Sequence, residues 1–97
     1  MENKIYYINL YDCYCEILTE KQKLYFTDCY FNDLSLSEMS ENYQVSRNAV
    51  HKQIKEVLNK LDFYEEKLEM YKKRVKIISL LSNIEDEKLK NDLLDCL

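Results

Sequence analysis

Six polar side chains near the middle of the chain have the types and spacing of a nucleic-acid contact surface. An arginine can bond guanine through two N–H groups, and an asparagine can bond adenine in the same bidentate way. Lysines would add salt-dependent phosphate contacts, and a serine at a helix start lies beside backbone N–H groups that suit a phosphate. An ordinary solvated helix would carry similar residues, so the pattern alone leaves both interpretations open. The six residues are Ser46, Arg47, Asn48, His51, Lys52 and Lys55.

Two capped helices are predicted to position these side chains. Ser35 with Glu38 forms a capping box that starts a short helix, and Ser46 is the N-cap of the next helix. The small residues Ser40 and Ala49 would let the two helices approach closely. This arrangement predicts a helix-turn-helix over about residues 35–58, whose second helix starts at Ser46 and enters the major groove. Apolar residues fall where crossed helices need them, at Leu36, Met39, Tyr43, Val45, Ala49, Val50 and Ile54.

The remaining sequence is also typical of helices, so we predict an all-α fold in a single domain over residues 1–97. Apolar residues recur every three or four positions from Lys4 to Leu18, and Thr19 with Gln22 forms a capping box before a helix from Glu20 to about Phe31. The chain contains no glycine and no proline. Tight hairpins and glycine loops that cradle phosphate are therefore not expected.

The C-terminal half carries a long apolar series that runs from Val50 to Ile78 in steps of four and three. Such alternation is typical of a coiled coil or of a long antiparallel helix pair. Because Asp62 with Glu65 could form another capping box, we favour two helices meeting near Asp62 over one continuous helix. The amphipathic segment over about residues 62–97 would end in a short helix after Asn83, where acidic residues favour a helix start.

The second part of this apolar series is predicted to form a homodimer interface. A chain of this length has limited core surface to cover so long a helix, although the series could instead pack on the chain's own first helix. A two-fold dimer would also present two reading helices to two half-sites on DNA. The residues predicted to dimerise are Leu61, Tyr64, Leu68, Tyr71, Val75 and Ile78.

The charge distribution favours a polyanionic partner for the middle of the chain. The 97 residues have a net charge of −4, yet residues 46–76 hold nine basic and five acidic side chains, net +4. Residues 1–45 have a net charge of −5 and residues 77–97 a net charge of −3. The positive charge is therefore concentrated in the segment that begins at the candidate contact surface.

Enzymatic, metal-binding and membrane functions find little support in the sequence. His51 is the single histidine and has no positioned partner that would make it a general base. The four cysteines, Cys13, Cys15, Cys29 and Cys96, lack zinc-ligand spacing and are predicted to be reduced thiols or small buried hydrophobes. We expect no enzymatic activity, no metal and no cofactor. The chain has no apolar run long enough to span a membrane and no signal-peptide pattern behind Glu2, so we expect a cytoplasmic protein.

The tyrosines could stack on the bases of single-stranded nucleic acid. The nine tyrosines are spaced as in amphipathic helices, however, which favours partly buried packing for most of them.

The stretch "LTEKQKLYF…DLSLSEMSENYQVSRNAVHKQIK" resembles the YlxM family of small bacterial proteins. In that family an "LT-x-KQ" helix start precedes a helix-turn-helix similar to sigma-factor region 4, and an "L-x-x-YE-x-KL" helix follows. The chain shows the last motif as "LDFYEEKL" at residues 61–68, and the resemblance covers most of residues 5–75. Two features depart from the family pattern: Ser40 stands where alanine is frequent, and residues 76–97 match no motif.

The resemblance implies a regulatory or accessory protein. The family is described as DNA-binding regulators linked through gene neighbourhood to the signal recognition particle pathway. Two functions follow: a dimeric helix-turn-helix protein that binds DNA, or RNA in its place, and an adaptor that binds particle RNA or protein through the same scaffold. The first predicts salt-dependent duplex binding that depends on Arg47 and Lys52.

Overall fold

The structure is a computed structural model that describes residues 3–97, so Met1 and Glu2 of the predicted domain lie outside the described residues. The described chain folds into six α-helices, as the all-α prediction required, and it extends over 54 × 25 × 23 Å. The helices are α1 Lys4–Tyr14, α2 Glu20–Tyr30, α3 Leu36–Tyr43, α4 Arg47–Leu68, α5 Met70–Leu81 and α6 Glu87–Leu94, with a short 3-10 turn at Cys15–Ile17 after α1.

The helix starts form where the predicted caps lie. Two of the three predicted capping boxes are present: the Thr19 side chain accepts from the Gln22 backbone N–H, and Ser35 accepts from Glu38 in the same way. In each box the third residue's side chain also accepts the N–H of the capping residue. These reciprocal bonds satisfy backbone donors that have no partner within the helix.

One hydrophobic core joins the first five helices around α4. Helix α4 packs on α1, α2 and α3, and its contribution to the core steps by four and three residues, as the apolar series predicted. Its core residues are Val50, Ile54, Val57 and Leu61. The other helices and connections supply Leu10, Tyr14, Leu18, Tyr25, Phe26, Cys29, Tyr30 and Met39.

Aromatic stacking fills much of this core, and it confirms that most tyrosines pack inside the fold. The Phe26 ring stacks between Tyr11 and Tyr30, with ring-centroid distances of 4.5 and 4.4 Å and nearly parallel planes. Tyr25 stacks on Tyr43 at 4.6 Å, which ties α2 to α3. Because these rings are buried or partly buried against one another, they do not form an exposed base-stacking platform.

The predicted helix break near Asp62 is wrong. Helix α4 continues without interruption through Asp62 to Leu68, and the break lies at Glu69, whose backbone is left-handed with φ 53°. Asp62 lies inside α4 and caps no helix, and its carboxylate accepts a hydrogen bond from the Tyr7 hydroxyl at 2.9 Å. The predicted second helix of the C-terminal segment therefore begins at Met70, about two turns later than expected.

A buried carboxylate secures the joint between α4 and α5. Glu65 accepts hydrogen bonds from the Tyr14 hydroxyl at 2.6 Å and from the backbone N–H groups of Tyr71 at 3.0 Å and Lys72 at 3.1 Å. The Tyr14 oxygen in turn accepts the Met70 N–H at 3.0 Å. Glu65 thus caps the helix that follows it and does not cap its own helix.

The last two helices form a C-terminal arm over residues 70–97. Helix α5 packs on α1 and α4, whereas α6 has almost no helix partner and no buried residue. Asp86 caps α6 through the N–H groups of Lys88 and Leu89, so the last helix begins at the acidic stretch that predicted it. No helix in the described part of the chain is long and apolar enough to cross a membrane.

Candidate nucleic-acid interface

The turn between α3 and α4 has the geometry predicted for a helix-turn-helix. Helix α3 ends at Gln44, which takes a left-handed conformation with φ 55°, and the Val45 N–H returns to the Ser40 carbonyl at 3.1 Å. The Ser40 hydroxyl donates to the Val45 carbonyl at 2.6 Å, closing the turn from the other side. Ser40, which stands where alanine is frequent in the family, therefore stabilises the turn through this hydrogen bond.

The start of α4 is fixed by a cap and by core packing. The Ser46 hydroxyl accepts the Ala49 N–H at 3.0 Å, as the N-cap prediction required. Met39 and Val50 are fully buried between the helices, and Ile54 is buried one turn further along. Since α4 is also packed on α1 and α2, the direction of its outer face is set by the whole core.

The predicted contact residues lie together on that outer face. Five of them are separated by one, three, one and three positions, which places them on one side of α4, and Ser46 lies at its end. The Ala49 N–H bonds the Ser46 hydroxyl, whereas the N–H groups of Arg47 and Asn48 have no carbonyl partner within the helix, so they are available to an anion at this end. All six are exposed: Ser46, Arg47, Asn48, His51, Lys52 and Lys55.

The cations of this face are available to an external anion. Among residues 3–97, the ion pairs of the structure involve Lys4, Lys23, Lys72 and Arg74, none of which belongs to the face. Within residues 3–97, Arg47, Lys52 and Lys55 therefore form no ion pair with a carboxylate. An exposed cation without an internal partner can release counterions when it meets a phosphate.

A groove beside this face was not predicted from the sequence. It has a volume of about 540 Å³ and is open to solvent along the side of α4. His51 and Lys55 line one edge, and Asn59 continues the edge one turn further. Asn59 follows Arg47, His51 and Lys55 at a spacing of four residues, and this spacing could have predicted its place on the same side of α4. Tyr7 and Tyr30 are among the residues that form the apolar floor.

The positive segment of the sequence divides into two surfaces in the structure. One is the outer face of α4, and the other is α5, which carries Lys72, Lys73, Arg74 and Lys76, while Lys60 and Lys67 lie on α4 outside both. Arg74 is used internally, since it bonds the Asp12 carboxylate on α1 at 2.8 Å. The net charge of residues 46–76 therefore does not describe a single binding surface.

The predicted dimer residues do not form one continuous face. Leu61 is fully buried in the chain's own core, so it is not available to a second copy, and Tyr64 and Tyr71 pack partly buried against the same core. The helix break at Glu69 interrupts the spacing of the apolar series, so the residues before and after the break do not share one face. Three of the six residues remain exposed: Leu68, Val75 and Ile78.

The groups considered for catalysis or metal binding are dispersed in the structure. His51 is exposed on the outer face of α4. Cys29 is buried, Cys13 and Cys15 are partly buried, and Cys96 is exposed, and no disulfide joins these four described residues. Burial raises the pKa of the Cys13 and Cys29 thiols. Within residues 3–97, no group of three histidine, cysteine or acidic side chains could hold a metal ion.

Comparison with known proteins identifies the family. A family model described as "Putative helix-turn-helix protein, YlxM / p13 like" matches residues 1–95. A UPF0122 protein of Listeria welshimeri is 43% identical over 89% of this chain and 78% of its own length. A UPF0122 protein of Oceanobacillus iheyensis is 45% identical over 81% of this chain and 78% of its own, and one of Fusobacterium nucleatum is 40% identical over 88% and 82%. The chain therefore belongs to the UPF0122 family of YlxM/p13-like helix-turn-helix proteins, as the resemblance indicated.

Proposed function

We propose that this protein binds duplex nucleic acid, DNA in preference to RNA, through the outer face of α4, and that it acts as a regulatory or accessory protein in the cytoplasm. The observation that carries the proposal is the set of exposed cations on α4 that make no ion pair within residues 3–97. They lie at the start of the second helix of a helix-turn-helix, where base contacts are made in such proteins. The proposal includes no catalytic step.

The residues of the face divide by the kind of contact that each can make. Lys52 and Lys55 are suited to phosphates, and Ser46 lies beside the outward N–H groups of the first turn. Arg47 and Asn48, at the first two positions of α4, are suited to base edges in the major groove. The first group would supply affinity and register, and the second would supply sequence preference.

A salt-titrated binding assay tests the proposal. Replacing Arg47 and Lys52 together by alanine should weaken duplex DNA binding by about tenfold or more and reduce the salt slope by about 1–2. A matched control removes two positive charges elsewhere, at Lys67 and Lys88, which are exposed away from the face. The control variant should retain both the affinity and most of the slope. Absence of duplex binding by the unaltered protein at low salt would refute the proposal.

Asn48→Ala separates base contacts from phosphate contacts. Asn48 carries no charge, so its loss should leave the salt slope unchanged while lowering the preference for one base pair by about 1–3 kcal/mol. A selection of binding sites from a randomised duplex, performed with both proteins, measures that preference. An unchanged site preference would assign Asn48 to the solvated face and not to the contact surface.

A second candidate function is an adaptor of the signal recognition particle pathway, which the family resemblance suggests. The observation that favours it is the acidic charge of residues 1–45, net −5, which suits a basic protein partner better than nucleic acid. Under this function, a pull-down from cell extract should recover particle RNA or protein, and recovery should survive alanine at Arg47 and Lys52. If the protein instead binds duplex nucleic acid through α4, the alanine substitutions at Arg47 and Lys52 should weaken that binding.

A further inference from the structure

The C-terminal arm exposes two matched apolar faces of opposite charge. On α5, Ile77 and Leu80 are exposed beside Lys73 and Lys76, all at spacings of three or four residues on one side of the helix. The Leu80 side chain is 57% exposed. An exposed apolar face of this kind on a helix is typical of an interaction surface.

Helix α6 carries the complementary face. Leu89 and Leu93 are exposed four residues apart, beside Asp92. Lys88 and Lys90 also lie on α6, so the negative charge of this segment comes from its two ends, at residues 85–87 and at Asp92 and Asp95. The Leu89 side chain is 48% exposed, although it belongs to an amphipathic helix whose apolar side would ordinarily be buried. Since α6 has almost no helix partner in its own chain, this face is not covered by the fold.

Some charges of each helix are placed against its dipole, although Glu87 in the first turn of α6 is placed favourably. Lys72 and Lys73 lie in the first turn of α5, which contains no acidic residue and where the dipole is positive. Asp92 lies in the last turn of α6, which contains no basic residue and where the dipole is negative. The Glu65 carboxylate and the ion pair between Lys72 and Glu69 offset the cost at α5, but nothing among the described contacts offsets it at α6. A partner that brings the opposite charge would remove this cost.

We propose that the arm is a homodimer interface in which α5 of one copy packs against α6 of the other, and α6 against α5, about a two-fold axis. A second copy supplies both an apolar face and the opposite charge, since the basic α5 of each copy would meet residues 85–95 of the other, which hold five acidic and two basic side chains, net −3. An anionic membrane surface would attract α5 but repel the acidic residues of the segment 85–95, so it fits the arm less well. The proposal does not depend on nucleic-acid binding.

This interface differs from the one that the sequence predicted. Leu61, Tyr64 and Tyr71 belong to the chain's own core, and the surface moves to residues 73–95. Placing the contacts on the arm leaves the outer face of α4 exposed in both copies. A dimer of this kind would carry two reading helices, as half-site recognition requires.

Charge reversal on each helix tests the proposal in the absence of nucleic acid. The unaltered chain should be a dimer at tens of micromolar by sedimentation equilibrium. The α5 variant K73E/K76E and the α6 variant D92K/D95K should each raise the dissociation constant about tenfold or more, because each places like charges across both contacts. Lysines near the end of α6 favour its dipole, so loss of the dimer in the second variant would not reflect loss of the helix.

Mixing the two variants is the decisive measurement. In a mixed dimer the reversed α5 face of one variant meets the reversed α6 face of the other, and the unaltered α5 face meets the unaltered α6 face, so opposite charges meet at both contacts and a heterodimer should form. The four-fold variant K73E/K76E/D92K/D95K should again form a homodimer. The matched control K52E/K55E makes the same charge change at the same spacing on α4 and should leave the dimer intact.

Three outcomes would overturn the proposal. They are a monomeric unaltered chain, a dimer insensitive to both reversals, and two variants that stay monomeric when mixed although circular dichroism shows both folded. Loss of duplex binding by K52E/K55E with an intact dimer would show that the interface and the proposed nucleic-acid function are separate.

Discussion

The joint between α4 and α5 makes a quantitative prediction about Glu65. Its side chain is only 9% exposed and accepts three hydrogen bonds, one from the Tyr14 hydroxyl and two from backbone N–H groups at the start of α5. Replacing Glu65 by alanine removes the acceptor for all three. We expect this change to lower the free energy of unfolding and to loosen α5 before the rest of the fold.

The size of the loss in unfolding free energy depends on which of the three donors can form a hydrogen bond with water once the carboxylate is removed. A hydrogen bond to a charged acceptor contributes about 1.5–3 kcal/mol, and a buried donor left without a partner costs about 1–3 kcal/mol. The Tyr14 hydroxyl is buried and loses its acceptor fully, whereas the two backbone N–H groups lie in a part-buried region that water can reach. We therefore expect Glu65→Ala to cost about 3 kcal/mol and Glu65→Gln, which keeps one acceptor oxygen, about half as much.

Urea denaturation measures the total, and amide hydrogen exchange locates it. Exchange at Tyr71 and Lys72 should accelerate more than exchange at Val50 in the helix-turn-helix. The neighbouring Glu66 is exposed, so Glu66→Ala is the control and should stay within about 0.5 kcal/mol of the unaltered chain. Equal costs for the Glu65 and Glu66 substitutions would refute the reasoning, as would unchanged exchange at the start of α5.

Two further predictions concern backbone strain and pH. Gln44→Gly should stabilise the chain by about 0.5–1 kcal/mol in thermal or urea unfolding, because glycine takes the left-handed conformation without a Cβ clash, whereas Gln53→Gly inside α4 should destabilise it by about 1 kcal/mol. Tyr7, Tyr14 and Tyr43 have their pKa raised from 10.0 to about 12, Tyr7 and Tyr14 mainly by burial and Tyr43 mainly by its bond to a carboxylate. The folded chain therefore holds these protons more tightly than the unfolded chain, so their contribution is complete below pH 10 and is lost as pH rises toward about 12. Ultraviolet titration should show tyrosines that ionise only in this range or on unfolding, and complete ionisation near pH 10 in the folded protein would contradict the assignment.

Much of the helix-turn-helix was predictable because its determinants are local. The caps at Ser35 and Ser46 act on backbone groups three residues away, and the burial of Val50 and Ile54 follows from helical spacing. The exposure of the contact residues follows from the same spacing, since a residue opposite the buried side of a helix faces solvent. Sequence reasoning could therefore place the candidate face before any tertiary contact was known.

The joint and the arm were not predictable in this way because distant residues decide them. The motif of Asp62 and Glu65 satisfied the rule for a capping box, but Tyr7 takes the Asp62 carboxylate and Tyr14 takes that of Glu65. These bonds connect residues more than fifty positions apart, and no short sequence pattern displays them. The apolar series across the break was likewise divided by tertiary packing, which buries Leu61 and leaves the later members exposed.

The sequence by itself determined the helical class, the caps, the two crossed helices and the residues that face outward from α4, since each depends on spacing within a few turns. Tertiary structure alone decided where α4 ends, which cations are used internally, and which apolar residues stay uncovered. The physical reason is that the hydrogen bonds of a buried carboxylate and the burial of an apolar side chain depend on residues that are distant in the sequence and adjacent only in the fold. At Glu65 that partner is a tyrosine of the first helix, and at α6 the described residues supply almost no partner helix.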